Sequence, residues 1–155
     1  CSDSITVDTE PVAFTFTTDR IDEMNDGSLL IIDYKTGSAT SMPNIRKFLE
    51  LTDLSRTALK QTVRSFQLPL YYFFTARIFP AMHLNAALYS IRNSELSFFI
   101  PDKETPHAPL IIQRSIDACI SILNEIFNTS IPFYPDPDES TCRYCPYQSM
   151  CSRHQ

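Results

Sequence analysis

Four apolar residues, Leu29-Leu30-Ile31-Ile32, run without a break into Asp33-Tyr34-Lys35 and stop at Thr36-Gly37. A run that is apolar on both faces predicts a strand covered on both sides, hence central in its sheet. Residues 4–8 and 12–18 are rich in β-branched and aromatic residues with partial alternation, and Glu10-Pro11 lies between them. They predict two strands, paired as a hairpin. Asn25-Asp26-Gly27-Ser28 is a turn signal, so 12–24 and 29–35 are expected to be adjacent antiparallel strands. Residues 38–60 are polar, and Ile45, Phe48, Leu49, Leu51 and Leu54 predict one short helix within a mobile loop. Residues 61–79 predict a helix packed on the sheet, with Pro69 near its start or at a kink. Residues 84–91 and 96–100 predict a second hairpin around Asn93-Ser94, followed by a Pro-rich loop over 101–109. Apolar positions at 112, 116, 119, 120, 123, 126 and 127 predict a helix over 110–128. An irregular Pro-rich stretch, 129–141, leads to the cysteines at the end. The fold class is therefore α/β, a mixed sheet with helices on its faces and a Cys-rich tail.

Composition narrows this picture. A chain of 155 residues suggests one domain with a sizeable core. With 43% hydrophobic and 20% charged residues it fits the globular class. No apolar run approaches the ~20 residues that cross a bilayer, so no membrane partner is expected. The chain starts at Cys1 rather than Met and is expected to be a fragment of a longer protein. The net charge of −5 argues against a dedicated nucleic-acid coat protein. Between 46 and 64 the balance reverses, with Arg46, Lys47, Arg56, Lys60 and Arg64 against Glu50 and Asp53. That run reads either as a solvated face or as a local phosphate-binding stretch. The five cysteines are odd in number, and three of them cluster near the end. This points to a metal or cluster site in a reducing compartment, taken here as the cytoplasm, rather than to a secreted disulfide framework. Cys119 falls on the apolar helical stripe and reads as a buried small hydrophobe.

Alternation along the strand points Asp33 and Lys35 one way and Tyr34 the other. Charged groups at the end of a buried strand are costly unless paired or bound to a metal. Pairing about the 25–28 turn would bring Asp19 near Asp33, with Arg20 and Asp22 on the opposite face. Carboxylates and a main-chain carbonyl suit hard ions such as Mg²⁺ or Mn²⁺. Such an ion with a neighbouring lysine is the requirement of phosphodiester hydrolysis. An ordinary Asp–Lys–Asp ion-pair set at a sheet end is the competing reading. Gln67 and Tyr71, spaced i, i+4, share one helix face, where Tyr71 also suits an amphipathic core.

The ordered set Thr18-Asp19-Arg20-Ile21-Asp22, Asp33-Tyr34-Lys35-Thr36-Gly37, Gln67-Leu68-Pro69-Leu70-Tyr71 and Cys142-x2-Cys145-x5-Cys151 resembles the RecB-type branch of the PD-(D/E)XK nucleases. The likeness is strongest to AddB-like members with a C-terminal iron–sulfur cysteine cluster, and it spans about residues 5–151. The resemblance implies a restriction-endonuclease-like core over 1–155 with the cysteine tail at 142–151, lacking an upstream helix that carries a His ligand. It implies a Mg²⁺- or Mn²⁺-dependent deoxyribonuclease of exonuclease type, within a larger DNA-repair or recombination helicase–nuclease. Asp19 and Asp33 would be metal ligands together with the Tyr34 carbonyl. Asp22 is the alternative to Asp19 if the register slips. Phe16 stands where the family has Gly. Lys35 would be the catalytic lysine, and Gln67 and Tyr71 would help place DNA and the site. The basic residues of 46–64 would then hold phosphates. Cys142, Cys145 and Cys151 would ligate a 4Fe-4S cluster, with Cys1 the candidate fourth ligand and Zn²⁺ the competing ion. Two other functions stay open. One is an inactive nuclease-fold module binding DNA or a helicase partner. The other is a zinc-binding interaction domain.

Overall fold

The computed structural model describes residues 2–37, 42–132, 134, 136, 142–143 and 145–151. Two compact units divide the chain, 1–124 and 125–155.

The first unit opens with a hairpin of β1 (Ser2–Val7) and β2 (Glu10–Thr15). Asp8 turns the chain at a φ of 54°, a left-handed conformation that Asp tolerates better than most residues. Alternation on β1 buries Ile5 and Val7. A second, four-stranded sheet has the order β3 (Arg20–Glu23), β4 (Leu29–Lys35), β5 (Leu84–Ser90), β6 (Glu95–Phe98). Its outer pairings are antiparallel, while β4 and β5 are parallel. The apolar run 29–32 thus becomes an inner strand, as its pattern predicts. Leu29 to Asp33 are all buried.

Only Arg20–Glu23 of the expected 12–24 strand pairs with β4. β2 belongs to the separate hairpin and ends at Thr15. Aromatic packing accounts for the break. Phe14 and Phe16 lie 5.7 Å and 5.0 Å from the Phe74 ring of the helix above, so their strand is drawn to the helix instead of to β4.

Residues 42–66 hold two short helices rather than one, α1 (Ile45–Glu50) and α2 (Arg56–Thr62); 38–41 lie outside the described residues. Each has its own cap, since Asn44 Oδ1 accepts the Lys47 N–H at 3.1 Å and Ser55 Oγ accepts that of Ala58 at 3.4 Å. The helix expected over 61–79 starts instead at Gln67, as α3 (Gln67–Ile78). Residues 61–62 close α2, and Arg64 reverses the chain at a φ of 61°. Pro69 sits in the first turn of α3, where its missing N–H leaves no bond unmade.

The second hairpin forms as expected, but β6 ends at Phe98. The Asn85 side chain takes over from the ladder. It donates to the Ile100 carbonyl at 2.8 Å and accepts the Ile100 N–H at 3.2 Å. The Pro-rich loop contains a 3-10 helix, Asp102–His107, that runs into α4 (Ala108–Phe127).

The main core joins one face of the sheet (Ile31, Ala86, Leu88) to α3 and α4 through Leu68, Phe74, Ile111, Ile112 and Ile116. Burial of Phe74 alone contributes roughly 1.5–3 kcal/mol. A smaller cluster ties α1 and α2 to α4 through Phe48, Leu59, Val63 and Ala118. Leu30, Ile32 and Ala87 pack on the opposite sheet face. This is a mixed α/β fold with a central mixed sheet flanked by helices. In the second unit, the tail includes a 3-10 helix at Gln148–Cys151.

Cys119 is buried on α4, and burial pushes its thiol above the ordinary value; Tyr72 on α3 is raised for the same reason. Both folded groups favour the protonated form, so their contribution is complete below the ordinary cysteine value of 9.0 and declines as pH rises above it. Denaturant midpoints should therefore fall between pH 8 and pH 10.5. Cys119→Ala should flatten part of that fall. An identical pH profile in the variant would show that Cys119 contributes nothing to it.

Candidate active site

Register assembles the site. Arg20 pairs with Ile32, and one further step along the antiparallel ladder places Asp19 opposite Asp33. The Tyr34 N–H donates to Asp19 Oδ2 at 2.9 Å, which locks the two strand ends together. Asp22 lies on the other face, in a 2.6 Å ion pair with Arg20. Arg20 Nη1 also reaches Tyr34 Oη at 3.4 Å. Asp22 and Tyr34 together raise the guanidinium pKa above its ordinary value. Asp19, not Asp22, is thus the carboxylate beside Asp33.

Asp33 is 3% exposed, a buried carboxylate at the end of a buried strand. Its Oδ1 accepts from Gln67 Nε2 at 2.7 Å. Lys35 Nζ lies 2.6 Å from its Oδ2. That ion pair lacks the direction of a hydrogen bond, so Oδ2 is buried with no hydrogen-bond donor. Lys35 Nζ instead donates to Gln67 Oε1 at 2.8 Å. One amide therefore holds both the carboxylate and the ammonium. Gln67 Nε2 also lies 3.0 Å from Tyr71 Oη, one helical turn on, and Tyr71 Oη donates to the Thr17 carbonyl at 2.9 Å. This last bond ties α3 to the segment before Asp19. Phe16, at the position where a Gly was expected, stacks on Phe74 at 5.0 Å and lies 6.0 Å from the Tyr71 ring. The Tyr34 side chain points away from Asp33 and meets Tyr89 edge-on at 5.7 Å. Only the main chain of Tyr34 belongs to the acidic site.

The five basic residues lie on successive surface elements. Arg46 and Lys47 are exposed on α1, Arg56 and Lys60 on α2, and Arg64 on the turn before α3. Arg46 also faces Glu50 at 3.4 Å.

The acidic site offers donors that suit a hard divalent ion. Its donors are all oxygen, and Asp33 Oδ2 is a buried acceptor with no hydrogen bond made to it. Among the described residues, no group of three or more His, Cys, Asp or Glu side chains could hold an ion. The nuclease likeness of the motifs would add the Tyr34 carbonyl as a third oxygen. The described part of the tail offers no comparable donor set. Cys142, Cys145 and Cys151 are partly buried free thiols, but they do not form such a group. Cys1 lies outside the described residues.

The Thr17 carbonyl is one anchor the sequence does not signal, because a main-chain acceptor has no residue type of its own. The wall beside Lys35 formed by Met42, Pro43, Ser65 and Leu68 is another.

Residues 4–152 match the family model described as the PD-(D/E)XK nuclease superfamily. No curated protein and no solved structure matches the chain. The match takes in all but the first two residues of the β1–β2 hairpin, the acidic strand end and the cysteine tail, and the chain belongs to the PD-(D/E)XK nuclease superfamily.

Proposed function

We propose that this chain is a metal-dependent DNA nuclease domain that hydrolyses phosphodiester bonds as an exonuclease. The single observation that carries this reading is the buried Asp33 carboxylate, held with Lys35 by one glutamine and faced by Asp19. Asp19, Asp33 and the Tyr34 carbonyl would hold Mg²⁺ or Mn²⁺, which when bound lowers the pKa of water and neutralises charge on the phosphate. Lys35 Nζ orients the attacking water and stabilises charge that develops on the phosphate oxygens. Gln67 keeps that ammonium at a fixed distance from Asp33, and Tyr71 fixes the Gln67 amide in turn. Arg46, Lys47, Arg56, Lys60 and Arg64 hold flanking phosphates and set register without reading sequence.

Within this reading the domain works in the cytoplasm, as part of a larger DNA-repair or recombination enzyme with a helicase partner. That context rests on the likeness of the four motifs to RecB-type and AddB-like nucleases. Among the described residues, no helix is long and apolar enough to cross a membrane. By the likeness to AddB-like nucleases, Cys142, Cys145 and Cys151 would be three ligands of a 4Fe-4S cluster.

Purified protein should cut labelled DNA with Mg²⁺ or Mn²⁺ and stop in EDTA. Binding without cutting, with either ion, would favour an inactive module that docks DNA or a helicase. Neither binding nor cutting would reject the reading outright. For the tail, anaerobically purified protein should carry iron and acid-labile sulfide and absorb broadly in the visible. Zinc with no visible band would reassign the cysteines to a structural zinc site.

A further inference from the structure

A cavity of about 830 Å³ opens where β4 and β5 begin, at the end of the sheet away from Asp33 and Lys35. β4 is seven residues long, so roughly 20 Å of strand separates the two places. Leu29, Leu30 and Ala108, all buried, line the cavity. Its rim is apolar and open to water, with Met24 44% and Phe98 45% exposed. A thioether and an aromatic ring left in water on one rim form adaptable contact surface.

The charges on this lining favour a cation. Asp26 and Asp102 belong to it, and among the described residues no lysine or arginine does. Ser28 Oγ and the Ser28 N–H donate to Asp26 Oδ1 at 2.7 Å and 2.9 Å, which holds that carboxyl below the ordinary range and keeps it charged. Lys103, next to Asp102, is exposed and outside the lining. His83 stands between the two carboxylates. On one side the Leu29 N–H donates to the His83 carbonyl at 2.8 Å, and on the other the Phe99 N–H donates to the Ala86 carbonyl at 2.7 Å. The segments that carry Asp26 and Asp102 therefore flank the start of β5, about two strand spacings apart, on the order of 10 Å. Tyr72 of α3 also lines the cavity. Burial raises its phenol with no hydrogen bond contributing, so the hydroxyl is open to an acceptor.

Two carboxylates repel a phosphate backbone, so DNA does not suit this place. Enclosed ligand pockets cover most of a small molecule, whereas this rim is exposed and suits a chain that passes across it. We propose that this end of the sheet docks an extended segment of a partner protein, with an apolar side chain in the cavity and a lysine or arginine on each side of it. An extended chain advances about 3.3–3.6 Å per residue, so cations three positions apart span roughly the distance between the carboxylates. The Tyr72 hydroxyl donates to a main-chain carbonyl of the segment. The inference goes beyond the nuclease reading and does not rest on it.

Amide NMR titration of the intact chain, without metal or DNA, tests this. The probe is the capped peptide Lys-Leu-Leu-Lys. It should bind about tenfold tighter than Glu-Leu-Leu-Glu, in which both charges are reversed, and about tenfold tighter than Lys-Ser-Ser-Lys, which lacks the apolar side chains. Shifts should centre on Asp26, Ser28, Leu84 and Thr105. Asp102→Arg should remove the preference over Glu-Leu-Leu-Glu, and added salt should shrink it. Phe98→Ser should remove the preference over Lys-Ser-Ser-Lys. Met24→Ser, at an exposed turn, reads the same contact should Phe98→Ser fail to fold. Equal binding of the three peptides, or shifts centred elsewhere, would overturn the docking site. So would n-hexylamine binding as tightly as Lys-Leu-Leu-Lys, which would give the cavity to small amines. A concentration-dependent dimer that is lost in Phe98→Ser would give the face to a second copy and overturn it too. None of these outcomes depends on whether the chain cuts DNA.

Discussion

Asp33→Asn should lower DNA cleavage on the order of 10³-fold and leave thermal stability unchanged or raised. The two effects have opposite causes in one side chain. Asp33 is 3% exposed, and its Oδ2 has no hydrogen-bond donor. Its charge is balanced by Lys35 Nζ at 2.6 Å, and that ammonium is 35% exposed, so it can turn to water once the carboxylate is gone. The amide keeps the shape and the Gln67 contact but loses the charge that would attract a cation. A lost metal site removes several kcal/mol of transition-state stabilisation, at about 1.4 kcal/mol per factor of ten. The checks are single-turnover cleavage at saturating Mg²⁺ and a thermal melt on the same sample. Full cleavage by Asp33→Asn would remove Asp33 from the chemistry. A large drop in melting temperature would mean that the carboxylate is structural.

Lys35→Met should also stop cleavage, by roughly 10²- to 10³-fold, but it should destabilise the fold as well. The methionine keeps the apolar stem while the ammonium leaves both Asp33 Oδ2 and Gln67 Oε1. Removing one partner of a fully buried ion pair costs about 3–5 kcal/mol. Lys35 is 35% exposed, and water screens the pair, so about 1–2 kcal/mol is the expected loss. The double variant Asp33→Asn with Lys35→Met should regain most of that stability, because no buried charge is then left alone. A stable Lys35→Met single variant would show that the pair contributes nothing to folding. The contrast between the two single variants separates catalytic from structural roles more cleanly than loss of activity alone.

Much of the site is legible in one dimension because its parts are local. Asp33 and Lys35 share a face by strand alternation, and Gln67 and Tyr71 share one by helical spacing. The turn at 25–28 sets the β3–β4 register, which brings Asp19 opposite Asp33. Errors arise where side chains choose between partners. Phe14 and Phe16 go to Phe74, and β2 leaves the main sheet with them. Asn85 replaces a stretch of ladder, and β6 ends early. Capping by Asn44 and Ser55 divides an expected loop into two helices. None of these choices has a periodic signature, because each depends on which neighbour arrives.

By itself, then, the sequence determined that a buried strand ends in Asp-Tyr-Lys and that an acidic turn-linked strand lies beside it. Periodicity and turn chemistry act within a few residues, so they survive without a structure. Only the tertiary structure decided that a single amide, 32 residues beyond Lys35, touches both that lysine and Asp33. It alone decided that Asp33 Oδ2 is left without a donor, and that a cavity opens on the same wall. These are properties of a space enclosed by β4, β5, the turn at Arg64 and α3. No spacing along one chain encodes a space that four separate segments must close together.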